Sequence, residues 1–162
     1  HMTHRRTLPT LLLFTLLIAL TTLVAACGNG TDSGDPAAEP PELPRDVAAA
    51  DYQTTGSGLQ IFDFSEGSGD PAELGDVVRV NYTGWLRSDS TRFDSSIGRG
   101  PFEFRIGAGR VIQGWEEGVE GMKVGGERQL VIPPELGYGS QGTGPIPGDA
   151  TLIFEIEMLE IE

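Results

Sequence analysis

Histidine, cysteine and lysine are scarce in this sequence, and their scarcity removes several classes of enzyme. Two histidines, His1 and His4, and the single cysteine, Cys27, lie in the first 27 of the 162 residues, and Lys123 is the only lysine. Beyond residue 27, Ser-His-Asp and Cys-His nucleophilic sites and metal sites built on histidine or cysteine therefore lack their parts. A lone cysteine also excludes a disulfide within this chain. Chemistry in this region must use carboxylates, tyrosines, backbone groups and apolar surfaces.

Positive charge is scarce as well. Lysine and arginine total 11 against 24 aspartates and glutamates, so the formal net charge is -13. A surface that neutralises phosphates needs the opposite balance, and we expect no nucleic-acid partner. The hydrophobic content of 38% is that of a globular protein, and the 23 glycines and 11 prolines favour a turn-rich sheet protein over a helical bundle.

The N-terminus has the pattern of a secretory signal. His1 resembles a cloning remnant, residues 5–6 are basic, and an apolar run over residues 11–26 ends at Cys27 behind two alanines. This run resembles the lipobox of bacterial lipoproteins, which implies a signal peptide over residues 1–26 and lipidation of the Cys27 sulfur. The alternative is a permanent transmembrane helix, because the run approaches the roughly 17–25 residues that span a bilayer. We favour the lipoprotein, since no basic stop-transfer cluster follows, and expect an extracytoplasmic protein anchored to a bacterial membrane.

Residues 27–56 are rich in acidic residues, proline and glycine, and they have almost nothing to bury. We therefore predict that lipidated Cys27 is followed by a flexible tether over this range. A flexible chain of this length has a reach of roughly 30 Å, so the domain would sample a shell above the membrane. Residues 47–52 fit either a short helix or an extra strand.

Residues 57–162 carry the periodicity of a folded domain. Hydrophobic and polar residues alternate in five segments, which we predict to be strands: 59–64, 78–82, 102–106, 130–132 and 154–158. One stretch instead repeats at intervals of three and four residues, which predicts a short amphipathic helix: Val111, Ile112, Trp115, Val119 and Met122. One helix covers only one face of a sheet. The predicted fold class is therefore α+β, with an antiparallel sheet of five to six strands wrapped around one short α-helix.

Several separated strings in this region are those of a known family. They are Val-Asn-Tyr-Thr-Gly at residues 80–84, Arg-Phe-Asp-Ser-Ser at 92–96, Val-Ile-Gln-Gly-Trp-Glu-Glu-Gly at 111–118, Tyr-Gly at 138–139 and Ala-Thr-Leu-Ile-Phe at 150–154. In kind and order they closely resemble the FKBP-type peptidyl-prolyl cis-trans isomerases, over about residues 57–162. The resemblance implies an FKBP-like sheet bent around one helix. Between them it implies a hydrophobic pocket that takes a prolyl ring and also binds macrolides such as rapamycin.

The resemblance also implies roles for individual residues. The catalytic residues would be Asp94 against the amide being twisted, the Tyr138 hydroxyl and the Ile112 backbone N–H as donors to substrate carbonyls, and Phe102 in the pocket wall. The substrate-binding residues would be Trp115 as the floor, Tyr82, Phe93, Val111 and Phe154 as walls, Ile146 on the rim and Arg99 as the partner of Asp94. The alternative is that the aromatic residues form an ordinary core and that Asp94 belongs to a turn or a helix cap.

These residue types suit a reaction that breaks no bond. An Xaa-Pro amide rotates through a twisted state about 18–20 kcal/mol above its planar ground state. Because no proton needs to move, a dry pocket that holds the amide twisted can work without histidine, metal or cofactor. We therefore expect an isomerase that uses no cofactor and acts on Xaa-Pro segments of unfolded or partly folded exported proteins.

Two other functions fit the same sequence. The first is a peptide-binding chaperone, or holdase, whose pocket captures proline-containing segments and whose isomerase activity is weak or vestigial. The second is a surface adhesion or virulence factor in which catalysis is incidental. We expect a monomer, because the sequence shows no long N-terminal helical region of the kind with which some family members dimerise.

A few residues depart from the family pattern, and two glutamates of the predicted helix have no predicted role in the site. Arg110 stands where an acidic residue is frequent, and residues 138–150 form a slightly shorter segment than is common. These departures concern rim contacts, peptide preference and macrolide affinity. Glu116 and Glu117 are neighbours on the predicted helix and diverge, so we interpret them as solvent-facing.

Overall fold

A computed structural model describes residues 39–162 of the chain. The predicted signal peptide, Cys27 and the first part of the predicted tether lie outside these residues. Within the described part, no helix is long and apolar enough to cross a membrane.

Seven antiparallel strands and one α-helix form the described fold. The strands are β1 (Gln53–Thr54), β2 (Gln60–Ser65), β3 (Val77–Leu86), β4 (Arg92–Ser95), β5 (Phe102–Arg105), β6 (Glu127–Ile132) and β7 (Leu152–Ile161), and the helix is α1 (Gln113–Val119). The strand order is β1-β2-β6-β7-β3-β4, and β5 pairs with the first part of β3. This arrangement confirms the α+β class, with an antiparallel sheet and one short helix.

Two of the seven strands, β1 and β4, are additional to the five predicted segments. In the pairing of β4 with β3, Asp94 faces Gly84 and Arg92 faces Trp85, so Phe93 is an extra residue in a β-bulge. A strand of four residues that contains a bulge has no period-two pattern, which is why the sequence did not reveal it. The bulge allows the neighbours Phe93 and Asp94 to line the same cavity.

The hydrophobic core lies between the sheet and α1. Alternate residues of the long strands are buried in one cluster with the helix, among them Val80 in β3, Leu130 in β6 and Ile156 in β7. The helix approaches β6 closely at Gly114, where a Cβ atom would lie 2.6 Å from Cγ2 of Ile132. Gly114 weakens the helix in isolation, but it lets the helix pack directly on the sheet.

Residues 40–54, which we call the N-terminal strap, cross the opposite face of the sheet. The strap runs from β4 over β3, β7 and β6 to β2, and its end forms β1 at that edge. Near its start, the carbonyl oxygen of Pro40 accepts a hydrogen bond from Arg92 at 2.8 Å, and that of Glu42 accepts one from Nε1 of Trp85 at 3.1 Å. Trp85 lies on the face away from α1 and is nevertheless fully buried.

Arg45 attaches the middle of the strap. Its guanidinium pairs with Glu127 of β6 at 2.6 Å and with Glu155 of β7 at 2.9 Å, and its Cζ atom lies 3.5 Å from the ring centroid of Phe64 in β2. The buried side chain of Gln129 in β6 donates a hydrogen bond to the carbonyl oxygen of Arg45 at 2.9 Å. With the pairing of β1 and β2, the strap is therefore held by hydrogen bonds and ion pairs to five strands.

The strap falls within residues 27–56, for which the sequence predicted a flexible tether, and the structure differs from that prediction over residues 40–54. The strap contacts the sheet through carbonyl groups, Arg45 and a single aromatic residue, Tyr52, and these contacts leave no periodic hydrophobic pattern in the sequence. The two interpretations of residues 47–52 are also resolved. Residues Ala49–Asp51 form a 3-10 helix, and the extra strand follows at Gln53–Thr54.

Candidate active site

A cavity of about 420 Å³ opens between the sheet and the start of α1. Its lining residues are Tyr82, Phe93, Asp94, Phe102, Gly109, Arg110, Val111, Ile112, Trp115, Tyr138 and Phe154. Nine of these eleven residues belong to the predicted catalytic and substrate-binding sets. The structure therefore brings them together around one cavity, while their individual roles stay predictions.

Aromatic rings form the base of the cavity. Trp115 of α1 is only 4% exposed, and its ring lies edge-on to those of Tyr82, Phe154 and Phe102 at centroid distances of 5.0, 5.2 and 6.0 Å. Such edge-to-face pairs are favourable and hold each ring against its neighbours. Trp115 and Phe154 also belong to the buried core, so the core interpretation holds for them, and both residues line the cavity as well. The cavity thus has a fixed, apolar base.

Gly84 in β3 makes room for this packing. A Cβ atom at Gly84 would lie 2.7 Å from Cε1 of Phe154 and 2.8 Å from Cζ of Phe93. Both distances are far shorter than an ordinary van der Waals contact. The rings of Phe93 and Phe154 meet edge-on, with their centroids 5.5 Å apart, over the space that a side chain at residue 84 would take.

Asp94 is fixed by three donors. The Tyr82 hydroxyl donates a hydrogen bond to its Oδ2 at 2.6 Å, and the backbone N–H of Ser95 donates to its Oδ1 at 2.9 Å. Arg99 forms an ion pair with the same carboxylate and also donates from Nε to the carbonyl oxygen of Ser95 at 2.7 Å. Arg99 does not itself line the cavity, and it touches the predicted site through Asp94 and Tyr82. The cap alternative would require Asp94 to lie at the start of a helix, but Asp94 lies within β4.

Both tyrosines of the cavity are protonated donors. Burial, together with the hydrogen bond to Asp94, raises the pKa of Tyr82 far above its usual range. Burial and then the nearby charge of Asp94 raise the pKa of Tyr138 as well. Unlike Tyr82, the Tyr138 hydroxyl forms no hydrogen bond with any of residues 39–162, and the side chain is 37% exposed. It is therefore a donor that a ligand can use.

Ile112 supplies a second unused donor at the cavity. It directly precedes α1, and its carbonyl oxygen accepts hydrogen bonds from the N–H groups of Trp115 at 2.9 Å and Glu116 at 3.2 Å. Its own backbone N–H donates to no acceptor in the described part of the chain. The carbonyl group of Ile112 is thus held by the helix, while its N–H group remains available to a ligand.

Glu116 is partly exposed, and it also holds the loop before α1, a role that the interpretation as a solvent-facing residue did not include. Its carboxylate accepts hydrogen bonds from the backbone N–H groups of Gly107 at 2.5 Å and Gly109 at 2.9 Å. The carboxylate of Glu117 accepts from the Ser57 hydroxyl at 2.8 Å. Both glutamates therefore have structural partners, and that of Glu116 is the loop that borders the cavity.

Three residues differ from the predicted lining. Ile146 was expected on the rim, but it is 6% exposed, belongs to the core and does not line the cavity. Its backbone forms an antiparallel bridge with that of Thr143. Gly109 and Arg110 line the cavity and were not among the predicted site residues. For Arg110, the departure from the family pattern had already indicated a role in rim contacts, and for Gly109 the only sequence signal was its position just before Val111.

Comparison with known proteins agrees with this geometry. The family described as FKBP-type peptidyl-prolyl cis-trans isomerase matches residues 68–159. FK506-binding protein 2 of Emericella nidulans is 60% identical over 89 residues, which cover 54% of this chain and 66% of that protein. The FK506-binding protein of Neisseria meningitidis serogroup B is 52% identical over 106 residues, which cover 64% of this chain and 96% of that protein. This chain thus spans just under two thirds of the fungal relative and nearly all of the bacterial one.

Solved structures share the fold. The crystal structure of FkpA from Escherichia coli matches with a TM-score of 0.64 and 41% identity, over 69% of this chain and 52% of FkpA. The crystal structure of AtFKBP13 matches with a TM-score of 0.64 and 39% identity, over 68% of this chain and 98% of AtFKBP13. The motifs, the antiparallel sheet around one helix and the family match all agree, and the chain belongs to the FKBP-type peptidyl-prolyl cis-trans isomerases.

Proposed function

We propose that this protein catalyses the cis-trans isomerisation of Xaa-Pro bonds in unfolded or partly folded exported proteins, without a cofactor. The observation that carries the proposal is a cavity with an aromatic base and with unused hydrogen-bond donors, among them the Ile112 N–H and the Tyr138 hydroxyl. A volume of about 420 Å³ is in the range of small-ligand sites. Membership of the isomerase family supports the same reaction.

In the proposed mechanism the prolyl ring rests against Trp115. A planar amide is stabilised by resonance, which makes it strongly polar, and water solvates that polarity. An apolar cavity does not solvate the polar amide. The planar state therefore loses more stabilisation on binding than the twisted state, which is less polar because its resonance is broken. The donors on Ile112 and Tyr138 would hold carbonyl groups of the bound peptide while the bond rotates.

The stabilisation that this mechanism must supply is modest. Uncatalysed isomerisation takes tens of seconds or longer. Turnover in milliseconds requires about 5–6 kcal/mol, at about 1.36 kcal/mol for each tenfold in rate. Neither bond cleavage nor proton transfer is needed. Desolvation of the amide and two positioned hydrogen bonds are interactions that can supply a stabilisation of this size.

The N-terminal sequence supports the proposed location. Basic residues, an apolar run over residues 11–26 and the cysteine that ends it favour an extracytoplasmic lipoprotein held in a bacterial membrane through lipidated Cys27. In this setting the substrates are exported chains that have not finished folding. The protein would act as a monomer, and macrolides such as rapamycin would compete with peptides for the cavity.

NMR exchange spectroscopy on a short Xaa-Pro peptide tests the proposed reaction. We expect the purified protein to accelerate exchange and rapamycin to suppress that acceleration. Asp94→Ala and Phe102→Ala should each lower kcat/KM by about tenfold or more, because they remove a charged group and a wall at the bound amide. Lys123→Ala, which lies outside the cavity, should leave kcat/KM unchanged, and circular dichroism should show that each variant is folded. Peptide line broadening without faster exchange would contradict the proposal and favour the holdase.

A further inference from the structure

Arg110 is the only cationic residue among the described residues that line the cavity. Its side chain is exposed, and it forms no hydrogen bond or ion pair with any of residues 39–162. This is unusual in a chain with 24 acidic residues and 11 basic ones, where an arginine has many potential partners. Arg110 therefore places an uncompensated positive charge at the cavity.

The other arginines of the described part have acceptors. Those in ion pairs are Arg45, Arg79, Arg92, Arg99 and Arg128. Arg87 donates to the side-chain oxygen of Gln60, and Arg105 donates to the carbonyl oxygen of Gly75. The unpaired state of Arg110 is thus a property of its position and not of arginines in this protein generally.

The carboxylates that line the cavity or hold its bordering loop are already engaged. Asp94 accepts from Tyr82 and pairs with Arg99. Glu116 accepts from the two backbone N–H groups of Gly107 and Gly109, which fixes the loop that carries Arg110. The base of the Arg110 side chain is therefore held in place, while its guanidinium remains free to pair with a group from outside the protein.

We propose that Arg110 determines substrate specificity by binding the carboxylate of an aspartate or glutamate directly next to the proline of the bound peptide. The inference rests on the proposed isomerase function, because it needs a prolyl ring in the cavity. A guanidinium pairs well with a carboxylate through two parallel hydrogen bonds. An exposed pair of this kind changes an equilibrium by a factor of about 1.5 to 5. The net charge of -13 repels acidic peptides over longer distances, so a preference for them must come from a local group.

Four acetylated and amidated peptides test the inference by NMR exchange with the purified full chain. One pair carries Glu or Gln directly before proline, and the other carries Glu or Gln directly after it. The quantity to compare is the ratio of kcat/KM for the Glu peptide to that for the Gln peptide, because general effects on catalysis cancel in this ratio. We expect a ratio of about 2 to 5 for one of the two pairs at low ionic strength, falling toward 1 in about 1 M salt, where the screening length is about 3 Å.

The variants separate the local charge from the overall charge. Arg110→Gln should bring the ratio to 1 or below, and Arg110→Glu should bring it lower still. Lys123→Gln removes the same charge from a residue outside the cavity and should keep the wild-type ratio. A wild-type ratio at or below 1 for both pairs, or a ratio that Arg110→Gln leaves unchanged, would overturn the inference while the isomerase function stands. If no peptide exchanges faster with the wild-type protein, the proposed function itself fails.

Discussion

At the scale of single residues, the shape of the cavity depends on the lack of a side chain at Gly84. Gly84 lies in the interior of β3, where glycine is ordinarily unfavourable because it has no side chain to pack. Here the space above it is filled by the rings of Phe93 and Phe154, which meet each other edge-on. The aromatic wall of the cavity and the glycine beneath it therefore form one packing unit.

We expect Gly84→Ala to destabilise the protein and to impair catalysis together. The added Cβ would lie within 3 Å of both rings, so the rings must move. Overpacking of this kind typically costs about 1–3 kcal/mol. Because Phe93 and Phe154 line the cavity, their displacement should also lower kcat/KM on an Xaa-Pro peptide. Urea unfolding and NMR exchange measure the two effects.

Gly56→Ala is the matched control for this prediction. A Cβ atom at Gly56 would meet nothing within 4 Å, so the same substitution adds the same methyl group in open space. Its effect on the free energy of unfolding should be within about 0.5 kcal/mol, and turnover should not change. If Gly84→Ala behaved like Gly56→Ala, the close approach of the two rings to β3 would not be a feature of the folded protein.

At the scale of elements, the N-terminal strap covers the face of the sheet that α1 leaves open. Trp85 lies on this face, and the strap covers it, so that the side chain is completely buried. The contacts of Arg45 connect the strap to three strands at once. The strap should therefore contribute to the stability of the whole sheet.

We expect Arg45→Met to lower the free energy of unfolding by about 1–2 kcal/mol, measured by urea unfolding. The substitution keeps an apolar stem but leaves Glu155, whose side chain is only 12% exposed, without its cationic partner. Arg79→Met is the control, because it breaks an ion pair with Glu160 on the sheet in which both side chains are more than 40% exposed. Its cost should be below about 1 kcal/mol. Equal costs for the two variants would mean that the strap is not attached through Arg45.

The elements also show what the sequence could and could not predict. Strands β3 and β7 have a clear period of two, and both were predicted. β4 is short and contains a bulge, and the strap depends on pairs such as Arg45 with Glu155, which lie 110 residues apart. Local patterns carry no information about such contacts. In the site, nine of the predicted residues line one cavity, whereas Ile146 is buried in the core and does not line it, and local patterns do not distinguish a rim residue from a core residue.

At the scale of the whole molecule, ionisation of the tyrosines connects folding to pH. The chain has three tyrosines, and all three lie in the described part. Burial raises the pKa of Tyr52 and Tyr138, and burial with the hydrogen bond to Asp94 raises that of Tyr82 the most. In the unfolded chain these groups titrate near pH 10. Above that pH the folded state holds protons that the unfolded state has released.

The free energy of unfolding should therefore fall as the pH rises above about 10. The stability that the protonated tyrosines contribute is fully present below the unfolded pKa and is lost as the pH rises through the folded pKa values. Each tyrosine adds a slope of at most about 1.36 kcal/mol per pH unit in the range between its two pKa values. Urea unfolding at a series of pH values from about 9 to 11 measures this slope.

Tyr82→Phe should make the slope less steep, because Tyr82 has the largest shift and phenylalanine has no proton to lose. Phe104→Leu is the control: it removes a ring that packs 5.7 Å from Trp115 and should lower stability at every pH without altering the slope. Loss of packing, or of the hydrogen bond to Asp94, lowers the free energy of unfolding at every pH. Loss of proton linkage changes how steeply that free energy falls with pH, so comparing the slopes separates the two effects. Equal slopes for wild type and Tyr82→Phe would show that Tyr82 ionises alike in both states, and the protonated Tyr82–Asp94 pair would then have to be abandoned.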